Sequence, residues 1–288
     1  MNSEYEPFYC SANDGLRLFA RKYGWHNDDP NPVVCLAGIT RNSADYHELA
    51  MFLASEPGGN RRVFAIDYRG RGQSDYDKNG DNYNIATEAE DVIAMVTAAG
   101  IGHLNIIGTS RGGLIAMIMA TTRPGIIKSV VLNDIGPVVD ARGIIRVAKS
   151  LENFRRVSSW QQAEDNFYLY GKTHYPDLSE EEWRKEAHWV YRQEKKKIVP
   201  QYDPKILKAL QSINLNQRIP DMWQEFEALS KFPMMVIRGS LSDMLSEETL
   251  EQMQAFNENL NVVIAENQGH APRLATPATA SQIAKFIN

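Results

Sequence analysis

Short, unbroken apolar runs alternate along this chain with stretches of helical spacing, and this alternation restricts the fold more than any other property of the sequence. The runs are "VVCLAGI" at 33–39, "RVFAIDY" at 62–68, "HLNIIG" at 103–108, "IKSVVLN" at 127–133, "PMMVIRG" at 233–239 and "NVVIAE" at 261–266. A run of that length without polar alternation is a strand covered on both faces. Helical spacing occupies the intervals from Ser43 to Ser55, Asn84 to Ala99, Arg111 to Thr122, Ser246 to Asn257 and Thr276 to Ile287. Strands alternating with helices of this length build a parallel sheet with helices on both sides, an α/β architecture. Ahead of them, Pro7 to Tyr23 reads as a β-hairpin turning at Asn13-Asp14-Gly15, residues that tolerate positive φ.

The rhythm stops after Pro137. From Val138 to about Arg218 the sequence carries helical periodicity, three tryptophans (Trp160, Trp183, Trp189) and no credible strand, and the alternation then resumes. A block of this kind between two strands of one sheet predicts a helical lid over the carboxyl edge. The expected division is a core of residues 1–136 and 219–288 and a lid of residues 137–218. A chain of 288 residues with 43% hydrophobic residues has enough apolar surface for one large core of this kind.

Charge narrows the partners. The formal net charge is -5 and the basic residues are scattered, apart from Lys195-Lys196-Lys197, read as a solvated face of a helical run. This argues against a nucleic-acid partner. Cys10 and Cys35 lie in apolar, strand-like surroundings without metal-ligand spacing, which points to a reduced compartment. The first residues, "MNSEYEPFYC", lack the basic and apolar segments of a signal peptide, and no apolar run approaches the ~18 residues of a membrane span. A cytoplasmic protein without membrane association is the expectation.

The stretch "NIIGTSRGGL" at 105–114 carries the chemistry. Gly108-Thr109-Ser110-Arg111-Gly112 follows a buried strand and opens a helix, the context in which G-x-S-x-G holds a serine on a strained turn at the sheet edge. A serine hydroxyl needs a base within hydrogen-bond reach, itself oriented by a third group. Among six histidines, His270 in "ENQGHAP" leaves the last strand at the same edge as Ser110. Two acids end strands there, Asp134 after "SVVLN" and Asp243 in "SLSD". The order Ser, acid, His admits either; the position of Asp243 beyond the insertion makes it the favoured acid and Asp134 the alternative.

Taken together, these segments resemble the α/β-hydrolase fold serine hydrolases, over nearly the whole chain outside the insertion. The segment "DYRGRGQSD" at 67–75 is similar to the one those enzymes carry after the fourth strand, where its role is structural. The resemblance implies a mostly parallel eight-stranded sheet flanked by helices, an inserted lid, and an oxyanion hole of two backbone N–H groups. These map onto Arg111, after the nucleophile, and Ile39 in "LAGIT", where Ala37 replaces the histidine of many relatives. A serine at position 110 argues against the branches that use a carboxylate nucleophile.

The implied reaction is hydrolysis of a carboxylic ester, lactone or related activated carbonyl of a small molecule through an acyl-enzyme. The alternatives are cleavage of a carbon-carbon bond in a ring-fission product and, in another class, a small-molecule receptor with vestigial turnover. Arg41 and Asn42 adjoin the expected oxyanion hole and are candidate substrate-binding residues, as are Trp160, Tyr168 and Trp189 in the insertion, where Phe167 is a further aromatic expected to line a pocket. Arg41 and Arg111 suit a substrate carboxylate, but equally suit structural ion pairs with carboxylates such as Asp134 or Asp45. No metal-ligand array and no dinucleotide or phosphate-binding glycine motif occurs, so neither a metal nor a cofactor is expected. The sequence leaves the oligomeric state open.

Overall fold

Consecutive residues of a strand point to opposite sides of a sheet, and the apolar runs use both directions. Val34, Leu36, Ile106, Val130, Leu132 and Val236 enter one hydrophobic core, and Val33, Cys35, Ile107, Val131, Met235 and Ile237 enter another on the opposite face. The computed structural model, which describes residues 4–154, 157–211 and 220–288, shows how helices cover both faces.

The strands are β1 (Glu6–Ser11), β2 (Arg17–Tyr23), β3 (Val33–Leu36), β4 (Val63–Asp67), β5 (Leu104–Thr109), β6 (Ile127–Asn133), β7 (Tyr191–Glu194), β8 (Lys197–Pro200), β9 (Met234–Gly239) and β10 (Asn261–Ala265). Among the described residues, eight form one sheet in the order β1-β2-β4-β3-β5-β6-β9-β10. Strand β2 is antiparallel to both its neighbours, and from β4 to β10 all pairs are parallel. The hairpin turns as expected, with Ala12 N donating to Leu16 O and Gly15 at φ 86°.

Helices α1 (His47–Ala54) and α10 (Pro277–Phe286) cover one face, through Leu49, Leu53, Ala280 and Ile283. Helices α2 (Ile85–Ala98), α3 (Arg111–Thr122), α8 (Trp223–Leu229) and α9 (Glu247–Phe256) cover the other, through residues such as Val92, Ile115, Phe226 and Met253. The chain leaves β3 toward β4 on one side and β5 lies on the other, so the strand order reverses at β3. Loops after β3 and β5 diverge there and open a crevice at the carboxyl edge.

Between β6 and α8 lie α4 (Ala141–Phe154), α5 (Trp160–His174), α6 (Glu180–Val190) and α7 (Ile206–Gln211). They build a third core around Phe167, Tyr175, Trp183, Tyr191 and Tyr202. One expectation for this segment is corrected: Tyr191 to Pro200 is the antiparallel hairpin β7-β8, with Glu194 opposite Lys197. Lys195, at φ 55°, and Lys196 form its exposed turn, so the lysine run is solvated but not helical. The turn contains none of the Asn, Gly or Pro residues by which hairpins are read. The expected lid boundary at 218–219 and the helical spacing assigned to 155–156 and 212–218 lie outside the described residues.

Candidate active site

The glycines around Ser110 are explained by what surrounds them. A Cβ on Gly108 would lie 2.7 Å from the backbone of Gly112 and Gly113, and one on Gly112 would collide with the carbonyl of Leu36 in β3. Strand β5, helix α3 and β3 therefore approach so closely that only hydrogen fits. At the apex Ser110 has φ 53° and ψ -117°, a region that L-residues occupy only when their surroundings compel it. Its N–H donates to Asn133 O at 3.0 Å, and its carbonyl accepts from Gly113 N at 2.9 Å. Both ends of the serine are held while the hydroxyl projects from the edge.

His270, in the loop after β10, places Nε2 2.9 Å from Ser110 Oγ and Nδ1 2.8 Å from Asp134 Oδ2. A carboxylate can only accept, so Nδ1 carries the hydrogen and Nε2 is left to accept from the serine hydroxyl. Asp134 is completely buried and lies just past β6 at φ 57°. It is fixed from three directions: its N–H donates to Ile237 O at 2.7 Å, Gly239 N donates to Oδ1 at 2.9 Å, and Ser242 Oγ donates to Oδ2 at 2.6 Å. This corrects the preference for Asp243. That carboxylate does not hydrogen-bond His270 but receives both arms of the Arg146 guanidinium from α4, with Nη2 2.7 Å from Oδ1. Burial works to raise the Asp243 carboxyl, but Arg146 overrides it and holds the group below the ordinary aspartate value. After β9 the loop is so wound that Ser242 faces Asp134; one residue later the chain faces α4.

Neighbouring residues hold the histidine loop. Gly269 N donates to His174 O at 2.7 Å, Tyr175 OH to Ala271 O at 2.9 Å, and Asn133 Nδ2 to Pro272 O at 2.9 Å. Two of these three partners come from the end of α5 and the residue after it, so the inserted segment is fastened to the loop that carries His270.

The sequence pattern of the alpha/beta hydrolase fold family matches residues 31–274, most of the chain. The chain belongs to that family. Over its full length it is similar to a solved alpha/beta hydrolase from Novosphingobium aromaticivorans, with 34% identity, a TM-score of 0.90 and coverage of 100% of this chain and 99% of the other. It is also 26% identical to a 3-hydroxybutyrate-oligomer hydrolase from Cupriavidus necator, over 96% of this chain and 95% of that one. Identity to a 2-(acetamidomethylene)succinate hydrolase from Mesorhizobium japonicum is 24%, over 87% and 86% of the two chains.

In this alpha/beta hydrolase a cavity of ≈ 230 Å³ opens on Ser110 and His270. Gly38 and Ile39 border it from the loop after β3, and Phe167, Tyr170 and Trp189 from the insertion. Of the five side chains expected to bind substrate, Trp189 and Arg41 line this cavity. Trp160 stacks on His188 with ring centroids 4.0 Å apart, and Tyr168 lies under the Lys172 ammonium; neither borders the cavity. Phe167, one residue before Tyr168 on α5 and also expected to line a pocket, does border the cavity. Asn42 is structural, its amide donating to Trp189 O at 2.9 Å and its carbonyl accepting from Ala44 N at 2.9 Å.

The arginines are engaged. Arg41 donates to Asp45 at 2.6 Å and to Glu186 at 3.0 Å, and Arg111 pairs with buried Glu88 at 2.5 Å. Of the carboxylates expected as partners, Asp45 is one and Asp134 is not. Arg273, also on the cavity wall, donates to Glu182 at 2.8 Å. Burial pushes the Glu186 carboxyl up despite Arg41 beside it. Among the described residues no cluster of His, Cys, Asp and Glu could hold a metal, and no helix is long and apolar enough to cross a membrane.

Proposed function

We propose that this hydrolase cleaves an ester of a short, uncharged acyl chain by acyl transfer through Ser110, with His270 as the base and Asp134 as the acid that orients it. The observation that carries the reading is the unbroken line of hydrogen bonds from Ser110 Oγ through the imidazole to the buried Asp134 carboxylate. Ser110 Oγ attacks the carbonyl carbon while its proton passes to His270 Nε2. The tetrahedral oxyanion lies against the N–H groups of Ile39 and Arg111. Collapse breaks the ester bond, and the leaving alkoxide takes the proton from His270. Water, deprotonated by the same imidazole, then releases the acid and restores Ser110.

In this reading Arg111 N–H serves naturally, because it opens helix α3 and the first helical N–H groups have no intrahelical partner. Residues 137–218 act as the lid. The cavity is smaller than the roughly 300 Å³ at which drug-sized ligand sites begin, which favours a short acyl group. Charge favours a neutral one: the wall presents Arg41 and Arg273 against Asp45, Glu48 and Glu186, and each guanidinium is already committed to carboxylates. A substrate carboxylate would have to displace one of those partners.

The test is release of p-nitrophenol from p-nitrophenyl acetate over many turnovers by the wild type and Ser110→Ala. The expected outcome is sustained release that falls by roughly 10³-fold or more in the variant; equal rates would end the proposal. The methyl ester of the 3-hydroxybutyrate dimer, prompted by the Cupriavidus necator relative, should be cleaved faster than the free-acid dimer. The opposite order would overturn the preference for an uncharged substrate.

A further inference from the structure

We infer that Glu88 and Arg71 are positioning residues that lock the two backbone donors of the oxyanion hole to each other, an assignment that rests on the acyl-transfer reading above. Neither borders the cavity, and both side chains are completely buried. Glu88 leaves the first turn of α2. Its Oε1 accepts from Arg71 Nη1 at 2.7 Å and its Oε2 from Arg111 Nε at 2.5 Å. Arg71 extends this line to the loop after β3, where its Nε donates to Ile39 O at 2.8 Å. One carboxylate thus reaches the main chain of Ile39 through one arginine and the residue after the nucleophile through the other.

The peptide geometry shows what this controls. Gly38 O accepts from Arg41 N at 3.1 Å, and in a trans peptide the Ile39 N–H points to the opposite side. With the Ile39 carbonyl anchored by Arg71, both peptide planes flanking Ile39 are set. On the other arm, Arg111 also donates from Nη2 to Tyr83 O at 3.1 Å, which holds the first residue of α3. The main chain at residue 39 and the side chain of residue 111 are therefore joined through hydrogen bonds to one buried carboxylate, and separating them strains charge-assisted bonds.

Fold stability alone is a weak reason for such an arrangement. Glu88 and Arg71 have been taken out of water completely and Arg111 in large part, and apolar residues of similar volume often stabilise a core equally well or better. Burial pushes the Arg71 guanidinium down; it also works to raise the Glu88 carboxyl, which the two guanidiniums hold below its usual value. What an ionic bridge supplies and an apolar patch does not is a fixed direction for the atoms it joins. An oxyanion hole depends on direction, because its donors must already face the charge that develops.

The experiment compares p-nitrophenyl acetate with its thionoester, whose C=S sulfur is a poor hydrogen-bond acceptor and draws little from the oxyanion hole. For Glu88→Gln and Arg71→Met, kcat on the oxygen ester should fall on the order of tenfold or more and KM should change little. The ratio of oxygen-ester to thionoester rates should fall by a similar factor. Arg111→Met cuts one arm at a partly exposed side chain, so it keeps the question decidable if the buried variants do not fold, and the same ratio should drop by less. A wild-type ratio in every folded variant overturns the assignment, whether kcat is kept or both esters slow together. Ser110→Ala assayed in parallel separates the two readings. Hydrolysis that requires Ser110 but shows an unchanged ratio rejects the positioning role alone, and hydrolysis indifferent to Ser110 rejects acyl transfer and the positioning role with it.

Discussion

Asp134 and Asp243 follow neighbouring strands at the same edge of the same sheet, yet their surroundings give them opposite partners. Asp134 is sealed from solvent and receives a backbone N–H, a serine hydroxyl and the His270 ring. Asp243 is partly exposed and faces a guanidinium on α4. In the proposed mechanism the first would stabilise the imidazolium that forms during reaction; the second already has a cation beside it. Position along the chain brings a carboxylate to the right edge, and the partners waiting there decide what it does.

The sharpest way to break this contrast is to neutralise each acid. Asp134→Asn should lower kcat by about 10³- to 10⁴-fold, because an amide can hold His270 in the wrong tautomer. Asp243→Asn should leave kcat within about tenfold of the wild type. Steady-state kinetics on one ester checks both, and a reversed order would restore Asp243 as the acid.

A smaller effect is expected at the residue that separates them. Ser242→Ala removes the hydroxyl donor to Asp134 Oδ2 and should cost roughly tenfold in kcat, in line with about 1.5 kcal/mol for a hydrogen bond to a charged group. A KM effect without a kcat effect would show that Ser242 shapes the loop after β9 and does not support Asp134. Arg146→Met tests the other side. The Arg146–Asp243 pair joins α4 to that loop, so thermal melting should move down by a few degrees and KM should rise a few-fold, with kcat nearly unchanged.

The smallest effect is a pH dependence at the start of α6. Glu182 is held down to about 2 by the backbone N–H of Ser179, by Arg273 and by the Ser179 hydroxyl. Its folded value lies below its unfolded one, so its contribution to stability is present above about pH 4.5 and is lost as pH falls toward about 2. Denaturant melts of wild type and Glu182→Gln should differ slightly at pH 6 and converge near pH 2. A gap that persists at pH 2 would show that the glutamate acts through packing. The side chain is partly exposed, so screening keeps the effect small.

Much of this was readable in the sequence because it depends on local rules. Six strands of the sheet were visible as apolar runs, since cover on both faces removes the need for polar alternation, β1 and β2 were visible as a hairpin, and the serine turn was visible because close approach of three backbones demands glycine. The β7-β8 hairpin was invisible because Lys195 occupies a left-handed conformation that lysine does not signal. Ser110 and His270 were named as candidates by the edge they share, and the structure brings them within 2.9 Å. Asp134 could be named as a candidate for the same reason, and the tolerance of aspartate for positive φ at a strand end was the one further hint of its special backbone.

The sequence by itself determined the alternation of strands and helices, the insertion, and which side chains reach the carboxyl edge, because these follow from periodicity and backbone sterics within a few residues. Only the tertiary structure decided which aspartate meets the imidazole, that Arg41 and Arg111 are spent on carboxylates 145 and 23 residues away, and that of the neighbouring candidates Phe167 and Tyr168 only Phe167 borders the cavity. Hydrogen bonds and ion pairs are made between groups brought within about 3 Å, and a turn of one residue in a loop exchanges one partner for another. No pattern of neighbouring residues records that choice.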